Sequence, residues 1–232
     1  SLSGNQSQVP VVAPVIDYSN VINRPILGGE VSYKTNFTSL TRDAAAFDSL
    51  TNPAGPSLTD IASCMTATSV LQSADPAARL RDACLLRGMP GTYSRLTAEA
   101  QWRRSFTDPI GQIWTPFASI RADAINASIG SQGMADPATG NPYFGIAPGS
   151  INDVRWMPTV GFEYRYPFIN VQPWGTTIIE PIAQVIARPN EQYAGRLPNE
   201  DAQSMVFDTS NLFSVDKFSG YDRVEGGGRA NV

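Results

Sequence analysis

Charged and amide side chains recur on alternate positions in several stretches of this chain: Lys34; Glu99, Gln101 and Arg103; Arg121 and Asp123; Glu163 and Arg165; Glu180; and Arg188. Acids and bases are mixed within these stretches. Such a set can hold a polar or charged solute by ion pairs and hydrogen bonds, or pair across neighbouring strands and keep a surface wet. It is poorly equipped to make or break bonds. The 232 residues include no histidine, which removes Ser-His-Asp and Cys-His catalysis and most catalytic zinc sites. The two cysteines, Cys64 and Cys84, stand apart in sequence. Glu200, Asp201 and Asp208 in "PNEDAQSMVFD" offer oxygen ligands of the kind calcium takes, but their spacing is not that of an EF-hand loop. A solvated loop leading into a strand is the simpler reading, and neither a metal nor a cofactor is expected.

The elements that carry the charges show a period of two. In "RLTAEAQWRR", Leu96, Ala98, Ala100 and Trp102 oppose Thr97, Glu99, Gln101 and Arg103. In "IWTPFASIRADA", Trp114, Pro116, Ala118, Ile120, Ala122 and Ala124 oppose Thr115, Phe117, Ser119, Arg121 and Asp123. In "MPTVGFEYRYPF", Pro158, Val160, Phe162, Tyr164 and Tyr166 oppose Thr159, Gly161, Glu163 and Arg165. In "IIEPIAQVIARP", Ile179, Pro181, Ala183, Val185 and Ala187 oppose Glu180, Gln184 and Arg188. A weaker case sets Val31, Tyr33, Thr35 and Phe37 against Ser32, Lys34 and Asn36. One residue of slip would reverse every face, so the register is well specified.

Two architectures alternate in this way. A soluble β-sandwich turns its apolar face inward; a transmembrane barrel turns it to lipid and its polar face to a wet lumen. The runs are longer than the usual strand of about 5–6 residues and match the ~9–11 of a tilted membrane strand. Charges of both signs at mid-strand suit a lumen wall. Trp102, Phe106, Trp114, Trp156, Tyr164, Tyr166, Phe168 and Trp174 read as girdles near strand ends. Pro116, Pro158 and Pro181 on the apolar face are expected at bulges that curve the wall. "TDPIGQ" is a hairpin turn, 130–153 a long loop and "FINVQPWG" a further connection. Two short helical turns broken at "SADP" interrupt the strands in the region of Cys64 and Cys84.

Composition agrees. Charged residues make up 16%, below the roughly 25% of an average domain, while glycine (19) and proline (18) are plentiful. The mixture favours many short strands joined by turns over packed helices. A net charge of −4 without a basic patch makes nucleic acid an unpromising partner. No stretch approaches the ~18 apolar residues of a membrane helix.

The run "RLPNEDAQSMVFDTSNLFSVDKFSGYDRVEGGGRAN" resembles the signature region of the LptD (OstA/Imp) outer-membrane lipopolysaccharide-assembly family. "IIEPIAQVIARPNE", "RGMPGTYSRLTAEAQWRR", "DPIGQIWTPFASIRAD" and "PVIDYSNVINRPILGGEVSYKTNFTSLTRD" fit the same family. The positions that carry the signature are Asn199, Glu200, Asp201, Phe218, Ser219, Gly220, Tyr221, Asp222, Arg223, Glu225 and Gly226, read as structural.

The resemblance implies an all-β fold: an antiparallel transmembrane barrel wall of roughly 8–10 strands, here a section (1–232) of one barrel domain. Residues 44–88 would form an extracellular insertion in the outer membrane of a Gram-negative bacterium. There an oxidising environment favours a Cys64–Cys84 disulfide, worth about 3 kcal/mol by loop-closure entropy. The implied partners are lipopolysaccharide, an LptE-type lipoprotein plug in the lumen, and an LptA-type periplasmic bridge reached through a jellyroll domain. The alternating charges become a candidate substrate path, with Lys34, Arg103, Arg121 and Arg165 foremost for the anionic head. A secreted β-sandwich binding module is the alternative.

Overall fold

The computed structural model describes residues 6–49, 84–131, 147–191, 197–202 and 211–232. After a short 3-10 turn (Gln6–Gln8) come β1 (Val11–Val21), β2 (Glu30–Arg42), β3 (Ala46–Ser49), β4 (Cys84–Gly88), β5 (Gly91–Arg103), β6 (Phe106–Thr107), β7 (Ile113–Ile129), β8 (Gly149–Arg165), β9 (Phe168–Gln172), β10 (Gly175–Ile179), β11 (Ile182–Ala187) and β12 (Arg229–Asn231). An eight-stranded antiparallel sheet runs β1-β2-β5-β7-β8-β11-β12, with β6 paired to β7. β3–β4 and β9–β10 are separate two-stranded ladders. The sheet is open, with β1 and β12 at its edges among the described residues.

The wall is inside out relative to a soluble sheet. On one face lie buried Asn36, Arg95, Thr97, Arg121, Asp123, Arg155, Thr159, Glu163 and Gln184. On the other, Tyr33, Leu96, Ile120, Val154, Trp156, Val160, Phe162 and Val185 are exposed. Along β5, β7 and β8 the period-two reading assigned the faces correctly, because the ladder register runs unbroken from Gly91↔Ile129 to Arg103↔Phe117 and from Ile113↔Arg165 to Ile129↔Gly149. A soluble sandwich would bury the face that is bare here.

Three local expectations change. Pro116 and Pro158 cause no bulge: the β7–β8 register passes through Pro116↔Phe162 and Ile120↔Pro158 without a shift. Each proline turns its nitrogen to a flank where the neighbouring ladder is interrupted or has ended. Pro116 falls in the gap between the end of β5 at Arg103 and the start of β6 at Phe106, where its carbonyl accepts from Arg104 N at 3.1 Å. Pro158 lies past the end of β11, whose last pair is Ala187↔Val160. Pro116 thus forfeits only the return half of its pair with Arg104, at the break between β5 and β6, and Pro158 forfeits no ladder bond. The register shift in β1 comes instead between Val12 and Val15, around Pro14.

"FINVQPWG" is not a plain connection. Phe168–Gln172 pairs with Gly175–Ile179 as a hairpin, so the strand expected across Ile178–Arg188 is split at Glu180 and Pro181. Trp156 stands at mid-strand, opposite Ala122, and belongs to no girdle. Trp114, Phe162 and Tyr164 do cluster near the short-turn end, with Trp114 and Tyr164 ring centres 4.7 Å apart.

Candidate functional site

The polar inner face is covered by the chain's own segments 197–202 and 211–228, a strap held by charge. Its anchor is Asp222, 1% exposed. The Asp222 carboxylate accepts from the Tyr93 hydroxyl and the Arg95 guanidinium on β5, and from the backbone N–H groups of Glu200 (2.6 Å) and Asp201 (3.0 Å). Asp201 returns the contact: its carboxylate takes Asp222 N at 2.9 Å and Arg95 Nη2 at 2.9 Å. Arg155 on β8 donates to the carbonyls of Asp222 (2.9 Å) and Tyr221 (3.0 Å), and Arg121 on β7 donates to Tyr221 O as well. Beneath them Asp123 accepts from Thr97 (2.6 Å), Arg121 (3.1 Å) and Arg155 (2.8 Å). Arginine suits this work because its planar fork meets a carboxylate and a carbonyl together and stays charged when buried.

The Tyr221 ring lies among three cations, 5.2 Å from the Arg95 guanidinium carbon, 5.5 Å from that of Arg121 and 5.8 Å from Lys34 Nζ. Its π face offsets the repulsion of like charges. Gly220 makes the close approach possible: a Cβ there would sit 2.5 Å from the Asp201 carbonyl oxygen. At the long-connection end, Glu200 takes Arg42 (2.7 Å) and Met89 N (2.9 Å), beside an apolar cluster of Leu40, Met89, Tyr93, Ile125, Ile129 and Leu197. Burial pushes the carboxyls of Glu200 and Asp216 above their usual range. Burial also raises Asp201, but the Arg95 hydrogen bond and charge outweigh it and hold that carboxyl below the usual range.

Most of the expected path residues lie on the inner face, engaged with one another, while Glu180 precedes β11 and Arg188 follows it. Lys34 pairs with Glu99 at 3.2 Å; Arg165 pairs with Glu163 at 2.7 Å and Glu180 at 3.6 Å; Arg188 lies 3.0 Å from Glu225. Gln184 Nε2 also donates to Glu163 at 3.0 Å. Arg103 is exposed at the end of β5, opposite Glu30, and Gln101 lines a cavity beneath the strap. In the signature, Asn199 and Ala202 exchange hydrogen bonds of 3.0 and 3.1 Å, and Phe218 N donates to Asp216. Cys64 lies outside the described residues, and so does most of the insertion around it. Sequence reasoning passed over Arg42, Tyr93, Arg95 and Arg155. Tyr93 and Arg95 share the parity of Thr97, and Arg155 that of Thr159, so their face was legible although their partners were not.

Long antiparallel strands, bare and apolar on one side and packed with paired arginines on the other, define a transmembrane β-barrel wall of the outer-membrane type. The family is more specific still. The family model for LptD, LPS transport system D, matches residues 3–232, and the chain belongs to that family. No curated protein matches the chain. It is accordingly an outer-membrane protein of Gram-negative bacteria that acts in lipopolysaccharide transport and outer-membrane assembly and interacts with lipopolysaccharide.

Proposed function

We propose that the chain forms a section of the wall of the translocon that places lipopolysaccharide in the outer leaflet, with residues 1–232 belonging to a single barrel domain. The sugar–phosphate head travels along the inner face while the acyl chains leave sideways into the bilayer. Each half of the molecule thereby stays in its own solvent. The observation that carries this reading is the reversed polarity of the wall: buried Arg95, Arg121 and Arg155 inside, bare Leu96, Ile120 and Val160 outside. The work is transport, without covalent chemistry. An LptE-type lipoprotein would occupy the lumen, and an LptA-type bridge would deliver substrate through a jellyroll domain.

The connections 22–29, 104–112 and 166–181, the last folded as the β9–β10 hairpin, share one end of the sheet, and the longer ones 43–90, 130–148 and 188–228 the other. Barrels of this type keep short turns in the periplasm. The insertion 44–88 and the loop within 130–153 then face outward, and the strap enters the lumen from outside. Cys64 and Cys84 close the insertion as a disulfide; alkylation without reductant should find neither thiol, and two reactive thiols would remove the bridge.

Photocrosslinking in the intact parent protein tests the route. A probe at Gln101 should capture lipopolysaccharide, and one at Ala100, on the opposite face, only bulk lipid. Capture at Ala100 in place of Gln101 would reverse the faces. Capture at neither would take the export path off this section of wall.

A further inference from the structure

Three turns close the hairpins at the short-turn end of the sheet, and all three carry the same local sequence: Pro25-Ile26-Leu27-Gly28, Pro109-Ile110-Gly111 and Pro173-Trp174-Gly175. Turns draw mainly on Gly, Pro, Asn, Asp and Ser. Here the tip of each turn is instead a large apolar side chain, with Leu27 83% exposed, Ile110 64% and Trp174 85%. The turn geometry does not ask for these residues. Asp108 closes the second turn by accepting from the N–H groups of Ile110 and Gln112, both at 3.0 Å. Leu27 is held against backbone preference. With φ 52° it shares a two-residue loop with Gly28 at φ 73°, inside the mutual hydrogen bonds of Ile26 and Gly29 at 2.8 and 2.9 Å. Such a loop favours Asn-Gly, so leucine here is both bare and strained.

The turns lie against the lipid side of the wall. Trp102 and Trp114 share the parity of the exposed Leu96 and Ile120. Trp102 Nε1 donates to the Ile26 carbonyl at 2.8 Å, and Trp114 Nε1 reaches the Asp108 carboxylate at 3.4 Å. At the third hairpin Tyr166 and Phe168 pack with ring centres 4.2 Å apart, continuing the parity of Phe162 and Tyr164 past the end of β8. From Tyr166 to Ile179 no residue is charged, and Ile169, Val171 and Ile178 are exposed. In the sheet order β1-β2-β5-β7-β8-β11 the three hairpins are neighbours. Their tips therefore follow one another along the rim at two strand spacings, about 10 Å. A row tied in this way to outward aromatics meets what surrounds the barrel, not what enters its lumen.

We infer that Leu27, Ile110 and Trp174 are membrane anchors: the three tips sit in the headgroup–acyl boundary of the phospholipid leaflet at this end of the barrel. The occupant is lipid because the row is continuous with a face that lipid already covers. Apolar side chains of interfacial segments lie about 5–10 Å deep at that boundary. Tryptophan prefers it, with an apolar ring and one N–H for water. Arg104, exposed and donating to the Leu27 carbonyl at 3.3 Å, stands where headgroup phosphates lie. Anchors of this kind fix the depth and tilt at which the barrel sits. In the orientation proposed above this leaflet is the periplasmic one, and the anchoring itself does not depend on that orientation.

Depth-resolved fluorescence quenching tests this on the full-length protein in dioleoylphosphatidylcholine vesicles. Subtracting the emission of the Trp174→Phe protein isolates Trp174, and Leu27→Trp or Ile110→Trp in that background moves the reporter to the other tips. Heat-modifiable gel mobility confirms that each variant has formed its barrel. Lipid brominated high on the acyl chain should quench every tip, lipid brominated near the chain end should quench it little, and aqueous iodide should not reach it. Any tip that iodide quenches and brominated lipid does not overturns the row. Strongest quenching from the chain end would put the tips in the hydrocarbon core and overturn the interfacial position. In intact cells a benzophenone probe at Ile110 should yield lipid-linked protein and no discrete heavier band. A discrete protein adduct in place of lipid would give the rim to a protein partner and remove the anchor. The Gln101 crosslink reports the inner face, so the route and the anchor stand or fall separately.

Discussion

Asp222 is where a single side chain decides the most. It joins the strap to Tyr93, Arg95 and the backbone of Glu200 and Asp201, with Tyr93, Arg95 and Asp222 themselves buried. Removing one partner of a buried ion pair typically costs about 3–5 kcal/mol, because the other charge is stranded. Asp222→Asn keeps the shape but not the charge, and should leave the strap open to limited proteolysis while the barrel strands stay protected. Protection equal to that of the unaltered protein would mean that the charge pair does not hold the strap. Arg95→Met with Asp222→Leu should not regain the protection, since that pair also leaves the Asp201 carboxylate, the Tyr93 hydroxyl and the N–H groups of Glu200 and Asp201 without those partners. Asp222 was legible as part of a motif. Its partner was not, because Arg95 lies 127 positions away and parity states which face a residue occupies but never what crosses to meet it.

At the scale of elements, the strands follow from alternation and the exceptions follow from their neighbours. Prolines that look like bulge signals in one dimension cost at most a single ladder bond where the adjoining ladder is interrupted, as at Pro116 between β5 and β6. Gly161 shows the same dependence on context: a Cβ there would stand 2.2 Å from the Phe117 ring on β7, so the glycine leaves room for an aromatic residue across the ladder. The β9–β10 hairpin was missed because "FINVQPWG" lacks alternation, while Pro167 and Pro181 flank it and break the ladder on both sides. Depth along a strand gives a quantitative expectation. Ala122→Arg at mid-band, between Ala98 and Trp156, should destabilise the barrel by about 2–4 kcal/mol. Ser128→Arg, at the strand end, should cost no more than roughly 1 kcal/mol. Denaturant unfolding of the full-length protein in lipid vesicles reads both, and equal costs would place the membrane elsewhere on the wall.

The molecule as a whole has an apolar exterior and, among the described residues, two open edges. β1 is exposed along its length and β12 pairs only with β11 among the described residues. With Leu96, Ile120, Trp156 and Val160 bare besides, residues 1–232 produced alone should aggregate in buffer without detergent. Sedimentation velocity gives the answer, and a monodisperse monomer would contradict a lipid-facing wall.

What this sequence determined by itself is the division of faces. A side-chain period of two turns apolar and polar residues to opposite sides wherever the strand runs, so Gln101 and Ala100 were assigned without knowing any neighbour. The signature residues likewise identified the family from their order alone. Tertiary structure decided which charges remain free. Arg155 is consumed by Asp123 and the strap carbonyls, while Arg188 keeps a donor without a hydrogen-bond partner among the described residues. That difference arises because the strap folds back across the sheet, bringing Tyr221 and Asp222 onto strands more than sixty positions away. Such a contact depends on the path of the whole chain, and local alternation carries no trace of it.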